Sequence, residues 1–485
     1  MSGKPLAAQG DKSEQRPRKV RRAPVRGQMS GALGLFGELF ADAQMATLLD
    51  DRAALQGMLD FEAALARAEA TAGVIPAEAA EAIAAQCKAE LYDIAAIGKA
   101  ATLAGNPAIP LVKALTARVA ANDADAAKWV HYGATSQDVI DSGHAQQYGA
   151  AWRLLLERAA RLASALAELT RRHRHTPMIG RTFLQHAVPI SFGIKAANWL
   201  GPVVSFHDDF LTYGQSAHQL GGAAGTLASL GEHAEAVLQA FGRTMPSIGA
   251  VDTPWHTQRQ RPARIAAGLG IFMGHLGKMA QDIALMAQTE IGELAEPEAP
   301  GKGGSSAMPH KRNPVLCTLI LASAKRTPGL VSTMLATMPQ EHERAMGGWH
   351  AEWRTMGELF TIAGSALNQM VTLIEGLQVF PERMRQNLEL TNGLVMAERV
   401  SLALAATIGR GESHHLLEEA SRICIASGRH LKEVLAESPA LAGKLAPGEI
   451  DKLFDPTTYR GATDAIIDRI LALYEEERES MVSDG

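Results

Sequence analysis

The segment from Pro300 to Pro314 contains residue types that can act on an anionic substrate. It reads Pro-Gly-Lys-Gly-Gly-Ser-Ser-Ala-Met-Pro-His-Lys-Arg-Asn-Pro, so Ser305 lies among glycines and close in sequence to Lys302 and Lys311. Glycine-rich backbone accommodates anions, and a serine hydroxyl can transfer a proton when nearby positive charge activates it. The segment therefore predicts a loop that closes over a carboxylate or a phosphate. An ordinary flexible connection between two helices is the alternative.

A second polar segment, residues 128–138, reads Lys-Trp-Val-His-Tyr-Gly-Ala-Thr-Ser-Gln-Asp. Thr135 and Ser136 place two hydroxyl groups directly before a predicted helix, where they suit a bound anion. Two plainer interpretations stay open, because Asp138 can be a helix cap and His131 a histidine with a structural role.

A third polar segment, residues 180–189, reads Gly-Arg-Thr-Phe-Leu-Gln-His-Ala-Val-Pro and is predicted to lie at the mouth of another helix. Thr182, Gln185 and His186 provide its hydrogen-bonding groups. The glycine cluster in residues 219–226 is a weaker candidate. It lacks the spacing of a dinucleotide-binding turn, and no predicted strand precedes it.

The other histidines and the cysteines give no metal signature. Residues 172–175 and the pair His414-His415 lack the spacing and the third ligand of a zinc site. Cys87, Cys317 and Cys424 lie far apart, which excludes a disulfide framework and a zinc ribbon. We therefore expect a reducing, cytoplasmic compartment and no metal or other cofactor.

Composition limits the class of protein. A chain of 485 residues predicts two or three domains. Apolar residues make up 47% and charged residues 20%, which excludes a disordered or fibrous protein. Aromatic residues are only 5%, and the abundance of Ala and Leu favours helices over a β-sandwich. No run of about 18 uncharged apolar residues exists, so no membrane span is expected.

Charge is distributed unevenly along the chain. Residues 1–30 carry eight Lys or Arg against Asp11 and Glu14, a net charge of +6 in a chain whose formal total is −5. The remainder is therefore acidic and unsuited to binding nucleic acid. Residues 1–30 have almost no large apolar side chains, which predicts a disordered basic tail rather than a signal peptide. A targeting or RNA-contacting arm is the alternative.

Apolar periodicity predicts a long helical bundle. Helical spacing extends over residues 43–72 and over four later segments, and we expect an all-α protein without useful strands. These later segments are 150–171, 262–293, 315–337 and 352–379. A break at residues 409–411 suggests a small terminal domain. The predicted division is an N-terminal domain at 31–125, a central bundle at 126–370 and a C-terminal domain at 371–485.

The three polar segments, in this order, resemble the signature blocks of the fumarase/aspartase superfamily. The match at Gly304-Ser-Ser-Ala-Met-Pro-His-Lys-Arg-Asn-Pro314 is the most specific, and the resemblance extends from about residue 31 to about residue 475. It implies a three-domain, mostly helical subunit whose long helices form the core of a homotetramer. It also implies active sites that each collect their blocks from three subunits.

The resemblance implies roles for individual residues. Ser305 matches the general base that removes a proton α to a carboxylate, and Lys311 and Asn313 match residues that bind the substrate and its dianionic intermediate. The other expected substrate-binding residues come from the remaining polar segments. They are Thr135, Ser136, Thr182, Gln185, His131 and Arg259.

Two positions depart from the superfamily pattern and bear on the reaction. Many members have a histidine after the threonine of the third block and a glutamate five residues after the loop asparagine. Here these positions are Phe183 and Thr318. Hydroxide and amines need a proton donor in order to leave, whereas a carboxylate, with a conjugate acid of pKa near 4, does not. His186 is the one nearby residue that could replace the missing acid.

This departure favours a lactone-forming enzyme. Three further segments also resemble the sequences of bacterial 3-carboxy-cis,cis-muconate cycloisomerases, which are enzymes of aromatic breakdown by the β-ketoadipate route. These segments are residues 58–70, 105–112 and 340–353. The expected substrate is a small tricarboxylate. Two alternatives stay open: adenylosuccinate lyase or another lyase of a succinyl-type substrate, and an inactive superfamily member with a structural role.

Overall fold

The computed structural model describes residues 3, 34–206, 217–245, 253–299, 303, 304, 308, 311–442 and 448–483. This part of the chain is mostly helical. Its α-helices are α1 Gly34–Gly37, α2 Ala43–Leu48, α3 Asp51–Thr71, α4 Ala77–Gln86, α5 Ile94–Ala104, α6 Ala108–Ala120, α7 Ser136–Arg172, α8 Phe192–Val204, α9 Ala234–Thr244, α10 Gln260–Met286, α11 Val315–Ala336, α12 Gly348–Glu375, α13 Pro381–Glu389, α14 Ala397–Ile408, α15 Arg410–Ser427, α16 Leu431–Ala436, α17 Glu449–Leu453 and α18 Thr463–Ser483. Short 3₁₀ turns lie at Glu38–Phe40, Ala89–Leu91, Ala126–Trp129, Ala228–His233, Leu394–Met396, Pro439–Leu441 and Pro456–Thr458.

The long helices α7, α10, α11 and α12 form the predicted bundle. Their apolar stripes are buried in one large cluster, in which Leu155, Leu162 and Leu166 of α7 and Leu269 and Leu276 of α10 are fully buried. The periodic segments 150–171, 315–337 and 352–379 are confirmed as helical through nearly all of their length. The segment 262–293 is helical only to Met286, because a turn with left-handed Gly292 follows.

A second apolar cluster surrounds α3. Leu59, Phe61 and Leu65 form its centre, with α4 and α6 packed around them. Later parts of the chain join this cluster, among them Leu230 and Phe241. Residues within 220–245 thus return along the chain to pack against α3.

The C-terminal helices have a separate small core. Val400 and Leu404 of α14 pack against Leu417 of α15 and Leu431 of α16. The predicted break at residues 409–411 is confirmed, because α14 ends at Ile408 and α15 begins at Arg410 with Gly409 between them.

Two small antiparallel sheets correct the expectation of an all-α chain. Strand β1, Pro177–Thr182, pairs with β2, Gln185–Ser191, and strand β3, Leu294–Ala295, pairs with β4, Gln378–Val379. Helical periodicity dominates so much of the sequence that these short strands leave little signal. The third polar segment is therefore a β-hairpin, and its second strand leads directly into α8.

Candidate active site

The second polar segment lies at the beginning of α7, where Asp138 organises it. The carboxylate of Asp138 is fully buried and accepts a hydrogen bond from the backbone N–H of Thr135 at 3.0 Å. It also accepts from the N–H groups of Gly221 at 3.0 Å and Gly222 at 2.9 Å, and the Nε2 atom of His256 lies 2.8 Å away. Because donors from both segments bind this one carboxylate, Asp138 holds Thr135 and the glycine turn in fixed positions relative to each other.

The structure explains why glycines occur in the cluster at residues 219–226, which the sequence alone did not. Gly222 has a φ of +68°, and a Cβ atom at this position would lie 2.9 Å from the carbonyl oxygen of Gly133. Only glycine permits so close an approach. The cluster therefore supports the segment that contains Thr135 and Ser136.

His131 occupies a strained and largely buried position. Its φ is +60°, which is uncommon for a residue other than glycine, and its Nδ1 atom lies 2.7 Å from Oε1 of Glu62. Burial by itself lowers the pKa of the imidazole, but the charge of Glu62, its hydrogen bond and a smaller effect of Asp138 outweigh burial and raise that pKa. Sequence reasoning missed Glu62, which lies 69 residues away in α3.

Arg259 does not have the role that the sequence predicts. Its guanidinium group is 3% exposed, and Nε and Nη2 donate to Glu352 while both Nη atoms donate to Asp141. The remaining N–H group of Nη1 points to the carbonyl of Trp255 at 3.4 Å. All five N–H groups are used within the chain, so Arg259 has none to offer a substrate carboxylate. It is a structural residue.

Arg344 provides a cation that sequence reasoning missed. Its Nε donates to Oε1 of Gln137 at 3.1 Å, and Nη2 lies 3.5 Å from the carbonyl oxygen of Gly222. The side chain is only half-buried, unlike that of Arg259. The available sequence signal was its place in residues 340–353, the segment that resembles the cycloisomerases. We call the region of Thr135, Asp138 and Arg344 the capping end of the bundle.

The third polar segment forms the tip of the β1–β2 hairpin. Thr182 and Gln185 are cross-strand partners, and Phe183 and Leu184 form the two-residue turn between them. Both turn residues have positive φ, +49° and +63°, in a position that normally favours Asn or Gly. Phe183 is 99% exposed. The tip is thus apolar, strained and accessible.

A buried ion pair holds the hairpin to the rest of the molecule. Arg181 donates to both oxygens of Glu293, at 2.9 and 2.7 Å, and Asn387 donates to the same fully buried carboxylate at 2.8 Å. Arg181 also affects the next candidate. Burial, and then the positive charge of Arg181, lower the pKa of His186. His186 faces Arg181 across the two strands.

The described residues at the two ends of the glycine-rich segment contact each other just before α11. The N–H group of Asn313 donates to the carbonyl oxygen of Gly303 at 3.0 Å, and Gly304 bridges to Arg312. Lys311 is exposed and Asn313 half-buried. Ser305 and Lys302 lie outside the described residues. We call the region of Thr182, Phe183, Lys311 and Asn313 the hairpin end of the bundle.

The two ends are far apart within one chain. Helix α7 begins at the capping end, and the hairpin follows directly after its last residue, Arg172. At 1.5 Å per residue, the 37 residues of α7 span about 55 Å. Thr135 and Ser136 therefore do not meet Thr182, Gln185 and Lys311 in a single subunit. The structure places the predicted site residues in two groups, with His131 at the capping end and His186 at the hairpin end.

The described residues contain no group of three or more His, Cys, Asp or Glu arranged to hold a metal ion. No described helix is long and apolar enough to cross a membrane.

Known proteins are similar to this chain along most of its length. A family profile described as Lyase matches residues 40–329, and one described as Adenylosuccinate lyase C-terminus matches residues 393–470. The chain is 50% identical over 440 residues to 3-carboxy-cis,cis-muconate cycloisomerase of Pseudomonas aeruginosa, covering 90% of this chain and 96% of that protein. It is 47% identical to the protein of the same name from Bradyrhizobium diazoefficiens, covering 93% and 100%. The crystal structure of 3-carboxy-cis,cis-muconate lactonizing enzyme from Pseudomonas putida matches with a TM-score of 0.87 at 43% identity, over 92% of this chain and 99% of that one.

Proposed function

Because the chain belongs to the fumarase/aspartase superfamily of lyases, we propose that it interconverts 3-carboxy-cis,cis-muconate and 4-carboxymuconolactone. The observation that carries this function is the similarity to cycloisomerases along nearly the whole chain. The reaction belongs to aromatic catabolism. In the lactone-forming direction a substrate carboxylate adds to a C=C bond, and a proton is delivered to the carbon α to another carboxylate.

The proton transfer is assigned to Ser305 and the charge stabilisation to Lys311. In the ring-opening direction, Ser305 removes the α-proton and the electron pair enters the adjacent carboxylate as a dianionic enolate. This pair then returns to form the C=C bond, while the C–O bond breaks and its electrons leave with the lactone oxygen as a carboxylate. A serine is a weak base at its ordinary pKa, so it needs positive charge and exclusion of water when the loop closes. Asn313 contributes an amide that donates to the intermediate.

The side chains at the two departing positions support a carboxylate leaving group. Phe183 has no proton to give, and the hydroxyl of Thr318 already donates to the carbonyl oxygen of Pro314 at 2.8 Å. His186 is a poor acid, since its lowered pKa leaves it uncharged near neutral pH. A departing carboxylate needs none of these groups, because it leaves as a stable anion.

Three substrate carboxylates require several donors from both ends of the bundle. Thr135, Ser136, His131 and Arg344 supply them at the capping end, where Arg344 takes the role first expected of Arg259. Thr182 and Gln185, with Lys311 and Asn313, supply them at the hairpin end.

This division leads us to propose a homotetramer with active sites shared between subunits. The length of α7 separates the two groups, and the exposed tip at Phe183 and Leu184 is suited to enter a neighbouring subunit. Helix α11 also leaves much of its apolar surface uncovered, with Leu335 half exposed. Such a surface, on a helix of the central bundle, fits contact with a second copy.

Sharing is testable by mixing two inactive variants. We expect Ser305→Ala and His131→Gln each to be nearly inactive, and subunits exchanged between them to regain activity. If each site takes these residues from different subunits, random exchange restores about a quarter of the sites. No recovery in tetramers shown to be mixed by mass spectrometry would contradict a shared site.

The function itself is tested by the loss of ultraviolet absorbance of 3-carboxy-cis,cis-muconate. We expect rapid turnover of this substrate and negligible turnover of fumarate and adenylosuccinate by the same preparation. Hydroxide and amine leaving groups lack a proton donor at this site. Robust turnover of either of these two substrates would contradict the proposed reaction.

A further inference from the structure

Helix α3 carries two buried carboxyl groups in the middle of an apolar cluster. Glu62 is 1% exposed and Glu69, two turns later, is 0% exposed. Among the described residues the carboxyl group of Glu62 has one hydrogen-bond partner, the Nδ1 atom of His131 at 2.7 Å, and its Oε2 atom has none. Neither oxygen of Glu69 has a partner there. Buried carboxyl groups with so few partners call for a physical explanation.

The two carboxyl groups avoid an uncompensated buried negative charge in different ways. A lone carboxylate in an apolar interior is strongly unfavourable unless a cation pairs with it or it binds a proton. Burial, and then the negative charge of Glu62, raise the pKa of Glu69 to about 9, so Glu69 is neutral. Glu62 instead has the imidazole of His131 within hydrogen-bond distance.

His131 is held in an arrangement that a merely structural histidine would not require. A non-glycine residue at a φ of +60° is strained, and such a conformation persists only where the surrounding structure enforces it. With Nδ1 directed at Glu62, the opposite Nε2 atom has no hydrogen-bond partner among the described residues. His131 lies four positions before Thr135, in the segment assigned to the substrate.

We propose that Glu62 is a positioning residue that holds His131 as an imidazolium, with its Nε2–H directed at one carboxylate of the substrate. This inference rests on the proposed function, because it assigns a second cation to that site's capping end. The charged groups that act on the imidazole are Glu62 from α3 and Asp138 from α7. Both are carboxyl groups that favour its protonated form, against burial.

The test compares Glu62→Gln with Glu69→Gln, a matched change of the same residue type on the same helix. In Glu62→Gln burial is no longer opposed by the partner's charge, so the pKa of His131 falls. We expect kcat/KM at pH 7.5 to fall roughly 10- to 100-fold, mostly through KM, as for the loss of a hydrogen bond to a charged group. Activity should recover partly as the pH is lowered towards 6. Glu69→Gln should leave kcat/KM unchanged, and Glu62→Asp should retain the wild-type pH profile.

Binding of tricarballylate, an unreactive tricarboxylate, provides a second readout by calorimetry in buffers of different ionisation enthalpy. At pH 7.5 we expect Glu62→Gln to take up more protons per bound ligand than wild type, approaching one, because its His131 must be charged on binding. The inference would be overturned if a folded Glu62→Gln variant took up the same number of protons on binding as the wild type and showed the same pH profile of activity. If Glu62→Gln does not fold, the comparison is made between the wild-type protein and His131→Gln. The wild-type protein should lose affinity for tricarballylate at high pH, and His131→Gln should not. If His131→Gln shows the same loss of affinity at high pH, the inference is overturned.

The outcomes separate this inference from the proposed function. A wild-type protein that binds tricarballylate with the expected protonation but does not turn over the muconate contradicts the proposed function and supports the ion pair. A wild-type protein that turns over the muconate, with a Glu62→Gln variant of unchanged pH profile, overturns the ion pair alone.

Discussion

The capping end and the hairpin end of the bundle both hold residues assigned to the substrate, yet they are built in opposite ways. At the capping end, the side chains of Asp138 and Arg259 are buried, and each makes several hydrogen bonds within the chain. At the hairpin end, Phe183 and Lys311 project from the molecule, and the turn that carries Phe183 is strained.

This difference shows where stability and function are separable. Removing a partner from the buried network leaves an uncompensated charge and should destabilise the fold. Changing the exposed tip removes few contacts within the chain, so its effect should fall on activity.

Ser305→Ala should abolish nearly all turnover. A positioned proton-transfer group contributes roughly 10²–10⁴-fold to rate, and alanine has no group to exchange the α-proton. Steady-state kinetics with the muconate measures the loss, while tricarballylate affinity and the oligomeric state serve as controls and should be preserved. A variant with more than half of the wild-type kcat would remove Ser305 from its role.

Arg259→Met and Lys311→Met form a pair that contrasts buried and exposed cations. Arg259→Met leaves Asp141 and Glu352 buried without their cation, and we expect a loss of roughly 3–5 kcal/mol in the free energy of unfolding. Lys311→Met should change that free energy by less than about 0.5 kcal/mol and instead lower kcat/KM. Thermal and denaturant unfolding give the first quantity and kinetics the second. Equal stabilities would show that the ionic cluster is dispensable.

The double variant Phe183→Asn, Leu184→Gly should separate strain from function at the hairpin tip. Bulky residues in left-handed conformations cost about 1–2 kcal/mol each, and Asn-Gly suits this turn. We expect the melting temperature to stay constant or rise, while kcat/KM falls at least about tenfold because the tip no longer completes the neighbouring site. Unchanged activity would argue that the tip lies outside every active site.

His186→Gln should retain muconate turnover within about threefold, because a neutral imidazole and an amide are both poor acids. Full kinetics across pH 6–8 measures this. Collapse of kcat, with tricarballylate binding intact, would show that His186 donates a proton after all.

Glu69→Gln should change activity least among these variants, and its effect on stability depends on pH. The pKa of Glu69 is raised from 4.5 to about 9 on folding, so between these values the folded state binds more protons than the unfolded state. Wild-type stability then falls as the pH rises, by at most about 1.4 kcal/mol per pH unit. The melting temperature of Glu69→Gln relative to wild type should therefore increase from pH 5 to pH 9. A constant difference would indicate that Glu69 does not titrate in this range.

Much of the secondary structure, and the family of this protein, could be predicted from local sequence. The alternation of apolar residues predicted the bundle helices, since a helix repeats its buried face every 3.6 residues. The loop with Ser305 and Lys311 and the replacements at Phe183 and Thr318 identified the superfamily and the kind of leaving group. The hairpin was missed, because Phe183-Leu184 is not a sequence that normally turns a chain.

The sequence by itself determined which residues are present and how each helix presents them, because propensity and periodicity act over a few neighbouring residues. Only the tertiary structure decided what those residues do. Folding brings Glu62 into contact with His131, 69 positions away in the sequence, and Arg259 into contact with Asp141, 118 positions away. The second contact gives Arg259, a predicted substrate ligand, a structural role. The tertiary structure also placed the polar segments at opposite ends of a helix about 55 Å long. Such pairings arise from the packing of distant elements, which short-range sequence patterns do not encode.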